Sequence, residues 1–398
     1  MSAGNLESLR ARNRRTVFAA VQTHPRSSRA DVARRTGLST STVSTLVGDL
    51  VGAGVLVELA DGPPSAPAGG RPAVWLAVNP RAGAVVGIYL GHAHTRVVVT
   101  SADGHLLAER AERSDVDHEP ARSLERVAAT AAGLLTGLAD RPARLFGVGV
   151  AVSAPVLDAR VLGSPPMLLD WGGVDVAARL QERLSLPVHL GNDATLGALA
   201  EWRLGAGRGT QDLVYVMLSE GVGAGLVLGG QLHEGATGAA GEFGHVRVVN
   251  DGQICRCGNR GCLETVVGAR ALVTALAHTL GPQCTVEQLL DMAARGDVGA
   301  RRLLTDAGHV VGDALAGICT VLDPHTVVLG GALTTEPTAA HVLTAATRGA
   351  LERARATVAN REIEVVAGRL GARSEALGAA LLAAAKARTE IVRLADAS

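Results

Sequence analysis

The sequence predicts an α/β fold behind a small helical head, and three observations lead there. Residues 1–80 place apolar side chains at helical spacing, separate them with short turns and carry a basic balance. From Arg81 onward, short valine-rich runs alternate with longer helical stretches, as layered strands and helices do. Between Gly235 and Glu264, three of the chain's five cysteines gather near a histidine in a glycine-rich loop.

The totals bound the rest. At 398 residues the chain can hold two or three domains with sizeable cores. Hydrophobic residues are 47% and charged ones 19%, so it is globular rather than disordered; aromatics are only 2%, so alanine, valine and leucine must build the core. No apolar run is long enough for a membrane span or signal peptide, and the grouped cysteines suit a reduced cytoplasm, where we expect the protein to work. Formal net charge is zero but unevenly placed: residues 1–81 hold ten Arg against five Asp/Glu, +5, leaving −5 for the remainder. A basic head on an acidic body points the head alone at a polyanion.

In the head, Asn5–Val21 reads as a first helix with Leu6, Leu9, Val17 and Val21 turned inward. Ser28-Arg29-Ala30-Asp31 resembles a capping box opening a second helix that ends at Gly37. Ser39 can cap a third, in which Val43, Leu46, Val47 and Leu50 follow the i, i+3, i+4, i+7 rule. Its other face shows Thr40, Ser41, Thr42, Ser44 and Thr45, small enough for a helix to sink into a major groove. Strands Val55–Leu59 and Val74–Val78 follow, joined by the tip DGPPSAPAGGRP. A small helical dimerisation module would explain the periodicity alone. The short turn, the hydroxyl-rich helix, the wing and the charge together favour a winged helix-turn-helix on duplex DNA. Arg34 and Arg35 are then candidate phosphate contacts, and Arg71 on the wing tip a minor-groove contact. The third helix opens without Arg, Lys, Asn or Gln, so base reading there is weak, and the wing and DNA shape must help.

Behind the head, strands are expected at Ala84–Leu90, Arg96–Thr100, Leu106–Arg110, Leu145–Val152 and Val188–Leu190, with helices at Ala121–Leu138, Ala177–Leu184 and Asn192–Arg203. Later strands fall at Leu213–Leu218, Gly225–Leu228, Val327–Leu329 and Glu364–Val366, and an alanine-rich helix follows Ser374.

His245, Cys255, Cys257 and Cys262, the thiols spaced C-x-C-x4-C, offer the four donors of a closed tetrahedral Zn²⁺ site, one structural ion per chain. Gly258 and Gly261 let the backbone double back between them. Three buried free thiols are the alternative, which their clustering within eight residues disfavours. Cys284 and Cys319 read as core residues; His92 and His94 could suggest a second metal, but an i, i+2 pair without a nearby carboxylate reads as incidental.

The run G-E-x-G-H, then C-x-C-G-x2-G-C-x-E, carried by Gly241, Glu242, Gly244, His245, Cys255, Cys257, Gly258, Gly261, Cys262 and Glu264, resembles the ROK family of sugar kinases and sugar-responsive repressors. The resemblance extends from about Arg81 to the C-terminus. It implies two actin-like lobes: 81–193, completed by the C-terminal helix 375–398, and 194–374, which includes the zinc segment 245–262. It also implies that Asn192 and Asp193 match the family's N-D pair, where Asp is the kinase base and both residues contact sugar hydroxyls. Glu242, His245 and Glu264 fall on the other sugar-binding positions, His245 serving metal and sugar with different ring nitrogens. The phosphate side departs from the kinase pattern. D-x-G-G-T-K is replaced by Tyr89-Leu90-Gly91-His92-Ala93-His94, and L-G-T-G by Leu218-Ser219-Glu220-Gly221, whose Glu220 would repel a nucleotide. Asp323-Pro324 to Gly330-Gly331 resembles the adenosine-side segment, kept as scaffold. The expected protein is therefore a sugar-responsive transcriptional regulator, a repressor, with Asp193 a relic base. It would bind operator DNA as a homodimer or homotetramer. Its rivals are an ATP-dependent hexose or N-acylhexosamine kinase with a DNA-binding head, and a regulator answering to a protein partner.

Overall fold

The computed structural model describes residues 3–24, 26–60, 74–139, 142, 144–157, 160–161, 171, 173–281, 284–354 and 362–396. In the head, α1 (Ala3–Thr23), β1 (Ser27–Ser28), α2 (Arg29–Thr36), α3 (Thr40–Gly52), β2 (Leu56–Leu59) and β3 (Trp75–Val78) form three helices and a small antiparallel sheet of order β1-β3-β2. The caps are local chemistry. Ser28 and Asp31 satisfy each other's backbone in a capping box, and the Ser39 hydroxyl accepts from Thr42 N at 3.1 Å. Gly37 ends α2 at φ +70°, where a side chain would be strained. Val43, Leu46, Val47 and Leu50 of α3 are buried against Val17, Phe18 and Val21 of α1. Leu9, expected inside, is 43% exposed; Phe18 takes the inward place because the buried stripe of α1 lies nearer its C-terminal end. The Leu6 side chain and the wing tip with Arg71 lie outside the described residues.

The body begins with the meander β4 (Ala84–Leu90), β5 (His94–Ser101) and β6 (Leu106–Arg113), then α4 (Pro120–Gly137), β7 (Leu145–Val152), the short pair β8 (Val156–Leu157) and β9 (Arg160–Val161), α5 (Val176–Leu184) and β10 (Val188–Asn192). They make a sheet of order β10-β7-β4-β5-β6, antiparallel along the meander and parallel across β4-β7-β10. After α6 (Asp193–Arg203) the scheme repeats. β11 (Leu213–Leu218), β12 (Val222–Leu228) and β13 (Gln231–His233) form a second meander. α7 (Glu264–Val267), α8 (Ala269–Leu280), α9 (Val286–Ala294) and α10 (Val298–Leu322) lead to β14 (Thr326–Gly330), then α11 (Pro337–Ala354) and β15 (Glu364–Ala367). This sheet, β13-β12-β11-β14-β15, has the same order and the same switch from antiparallel to parallel. These are the two lobes of the actin-like fold.

Two helices join the lobes. α6 lies on β11 and β12, and α12 (Ser374–Lys386) lies on β4 and β7. The approach is close because Gly87 and Gly149, side by side in the β4–β7 register, leave a bare patch; a methyl group on either would meet the α12 backbone at Ala376 or Ala379. Gly378 likewise lets α12 touch the Leu196 carbonyl of α6. Buried Glu201 of α6 accepts from Ala206 N, Arg369 N, Leu370 N and Ser374 Oγ at 2.8–3.2 Å, fixing the entry to α12. The last helix, α13 (Arg388–Arg393), packs on α1: Arg388 Nε donates to Gln22 Oε1 at 2.7 Å. One apolar core therefore runs from Phe18 and Leu50 through Ile391, Val392 and Ala383 to Val85 and Tyr89. Among the described residues, no helix is long and apolar enough to cross a membrane.

Candidate functional site: a polar cleft beside a cysteine–histidine cluster

The segment after β13 has little regular structure, so its position comes from turns and anchors. Phe243 is buried and starts a turn of 3-10 helix ending at His245. Cys255 N donates to the Asn259 carbonyl at 2.7 Å, closing the loop around Cys257, and Gly258 (φ +90°) and Gly261 (φ +67°) make the reversals. His245, Cys255, Cys257 and Cys262 end with their donor atoms all within 4.8 Å of one another, a cluster able to hold a metal. Cys257 Sγ is 3.7 Å from Cys262 Sγ, and Cys255 Sγ is 3.5 Å from His245 Nδ1. A tetrahedron with metal–sulfur bonds of about 2.3 Å and a metal–nitrogen bond of about 2.0 Å has edges of about 3.8 and 3.5 Å. The donor set fits. Cys319 is buried in the core of the second lobe and Cys284 packs against it.

His245 turns its other nitrogen toward the cleft, with Nε2 3.6 Å from Glu242 Oε2. The same cleft, between the two sheets, brings together Asn192, Asp193, Glu242, His245 and Glu264 from three separate parts of the chain. Asn192 caps α6, accepting from Thr195 N at 3.0 Å, while its Nδ2 donates to Asp193 Oδ1 at 3.1 Å and the Ala154 carbonyl at 3.3 Å. Asp193, 3% exposed, also accepts from Ala194 N at 2.8 Å and from the Ser153 hydroxyl at 2.7 Å. Burial nevertheless pushes its carboxyl above the ordinary range. Glu242 is pushed up to about 7, first by burial and then by the charges of Asp193 and Glu264. Glu264 accepts from Val222 N at 3.1 Å, and its second oxygen is 3.4 Å from Arg256 Nε. The result is a pocket rich in acceptors, suited to a ligand rich in hydroxyl donors.

At its far end stand the β4–β5 and β11–β12 turns. His92 is not incidental: Asp117, 25 residues on, holds its Nδ1 at 2.7 Å, and Arg256 Nη1 is 3.4 Å from its Nε2. Burial works against the Asp117 charge, but the bond from His92 keeps that carboxyl below its usual value. His94 stacks edge-on to Tyr89, 5.2 Å between ring centres. Glu220 sits across from His92, with Oε2 buried and without a hydrogen-bond partner. Sequence reasoning missed Ser153 and Arg256 as cleft residues, and Asp117 as the partner of His92. Of these, Arg256, inside the C-x-C, had a local signal.

On the head, Thr40, Ser41, Ser44 and Thr45 are exposed along α3. Thr42 is half-buried, its hydroxyl 2.7 Å from Ser39 Oγ. Arg34 and Arg35 are exposed at the end of α2, with Arg34 paired to Asp31 at 3.0 Å.

Comparison with known proteins follows the same division. The ROK family profile matches residues 85–386, and a winged helix-turn-helix DNA-binding profile matches residues 10–57. The xylose repressor of Bacillus subtilis (strain 168) is 29% identical over 303 residues, covering 76% of this chain and 77% of that protein. The DNA-binding transcriptional dual regulator NagC of Escherichia coli (strain K12) is 26% identical over 345 residues, 83% of each. Among solved structures, a ROK family transcriptional regulator homologous to the E. coli MLC protein superposes with a TM-score of 0.75 at 23% identity, over 98% of this chain and 100% of that one. A ROK family glucokinase from Streptomyces griseus, in complex with glucose and AMPPNP, superposes at 0.67 with 28% identity, over 75% and 99%. With the family pattern spanning both lobes and their cysteine–histidine segment, the chain belongs to the ROK family.

Proposed function

We propose that the protein is a DNA-binding transcriptional regulator, a repressor, whose cleft takes a sugar or sugar derivative as effector and which does not act as a kinase. The observation that carries this is the asymmetry of the cleft. Its acceptor set, Asn192, Asp193, Glu242, His245 and Glu264, is assembled in one pocket, while Glu220 and the His92–Asp117 pair belong to the end whose turns depart in sequence from the kinase phosphate loops. That such a cleft is fused to a winged helix-turn-helix, and that relatives are named a xylose repressor and a DNA-binding transcriptional dual regulator, supports the same reading.

In this reading the lobes divide at residues 80 and 193, with 375–398 returning to the first. Sugar hydroxyls donate to Asp193 at the end of β10 and to Glu242 and Glu264 on the other lobe, so the ligand draws the lobes together. Asp193 accepts hydroxyl hydrogens and no longer serves as a base. α12, between the sheets, passes the displacement through α13 to α1. Because operator half-sites lie a fixed distance apart, reorienting two heads of a homodimer or homotetramer costs affinity. On α3, Thr40, Ser41, Thr42, Ser44 and Thr45 face the groove, and Arg34, Arg35 and Arg71 hold the backbone. His245, Cys255, Cys257 and Cys262 hold Zn²⁺, which ties the loop and orients the His245 ring. The protein works on chromosomal DNA in the cytoplasm.

Duplex DNA selected from a random library by the full-length protein supplies the probe for a gel-shift titration with and without sugars. Loss of the shifted band on adding sugar is expected; a protein that selects no DNA would sink the proposal. The kinase alternative has the glucokinase superposition and the retained Asp193 in its favour. ADP release that depends on a sugar and disappears in Asp193→Asn would establish it instead.

A further inference from the structure

Beyond the sugar end of the cleft, past His92 and Glu220, a second cavity of about 560 Å³ opens between the lobes. That volume is in the range of small-ligand sites. We infer that the effector is longer than one sugar ring: a neutral oligosaccharide, with one unit at Asn192, Asp193 and Glu242 and the next in this outer cavity. This rests on the sugar-sensing function proposed above and specifies its ligand.

The two spaces adjoin at a narrow boundary, because His92 and Glu220 line both. At that neck Glu220 presents a buried carboxylate oxygen with no hydrogen-bond partner. A buried acceptor left unpaired is costly, and a turn of the half-buried Glu220 carboxylate toward a ligand hydroxyl would satisfy it. A phosphate would not, since two negative charges would meet where water is scarce. The outer cavity argues the same way. Its acidic groups, Asp115, Asp117 and Glu220, equal in number its arginines, Arg113, Arg126 and Arg270. Two of those arginines already have partners within the protein: Arg113 pairs with Glu287 at 2.9 Å, and Arg126 reaches the Arg113 carbonyl at 3.3 Å. Among the described residues, no aromatic ring apart from histidine lines the space to stack on a nucleobase, and Ala93 is the one apolar side chain in the lining. What remains is a balanced, hydrogen-bonding surface for hydroxyl groups. Its walls come from β6 and α4 on one lobe and from Glu220 and α8 on the other, so a second unit there would touch both lobes and add to closure.

Isothermal titration of the full-length protein with matched pairs tests this: xylose and xylobiose, glucose and cellobiose, N-acetylglucosamine and its β-1,4 dimer, with glucose 6-phosphate as the anionic probe. In at least one pair the disaccharide should bind ten-fold or more tightly than its monosaccharide. Ala93→Trp, at an exposed turn position, fills the outer cavity and should bring the disaccharide back to monosaccharide affinity while leaving the monosaccharide unchanged. Monosaccharides binding as well as their dimers in every pair would overturn the inference, as would glucose 6-phosphate binding more tightly than any neutral sugar. Absence of binding by sugars of either length would be a different result, one that removes the sugar-sensing function as well.

Discussion

Glu375 shows how much a single buried carboxyl can reveal. It is 3% exposed at the start of α12, accepts from the Tyr215 hydroxyl at 3.1 Å, and is pushed up to about 7 from 4.5, first by burial and then by Asp193. Its folded state therefore holds a proton more tightly than its unfolded state, so stability is greatest below about pH 4.5 for this group and falls as pH rises toward 7. Glu375→Gln should flatten that loss, on the order of 3 kcal/mol, in urea titrations run from pH 5 to 8. At the cluster, Cys262→Ser removes a fully buried donor; bound zinc, read by mass spectrometry under native conditions, should fall from one ion per chain to almost none. Single residues were legible in the sequence where motif spacing marked them, as with Glu242, His245 and the three thiols. Ser153 and Asp117 were not, because each meets its partner across 40 or 25 residues, and neither periodicity nor local spacing encodes such a meeting.

Elements followed their local chemistry closely. The second and third helices of the head begin at the serines expected, because capping involves residues three apart and needs no tertiary information. The first two strands of each meander and β6 were expected from the sequence and the short β13 was not; the edges also extended further, as with β5, which begins two residues earlier, at His94, where the Gly91 N–H bonds its carbonyl. What the sequence hid was how α12 docks. Alanine richness announces a helix; only the paired glycines Gly87 and Gly149, on strands far apart in the chain, show that its backbone lies directly on the sheet. Gly149→Val should push α12 off that patch and lower the melting temperature by several degrees, with a cost of about 1–3 kcal/mol or more. Glu201→Ala leaves three backbone N–H groups unpaired at the same junction, and should cost about 3 kcal/mol in chemical denaturation.

For the molecule as a whole, the repeated sheet order could not be read from strand positions; two actin-like lobes were expected from the family resemblance, and the two sheets, alike in order, form them. The cleft between them lies far from α3 in sequence, yet the path between is packed throughout. A sugar that fills the cleft should weaken DNA binding by roughly 5- to 150-fold, a coupling of about 1–3 kcal/mol, and DNA should weaken sugar binding by the same factor; fluorescence anisotropy titrations in both directions check the reciprocity. The apolar seam from Phe18 through Ile391 to Tyr89 carries a further consequence. A reader hung on a loose tether would let the sensor move without being noticed. Here the two are welded, so heating should melt them in one step, and trimming the last dozen residues should leave a protein that still tastes its ligand but has nothing firm to say to DNA.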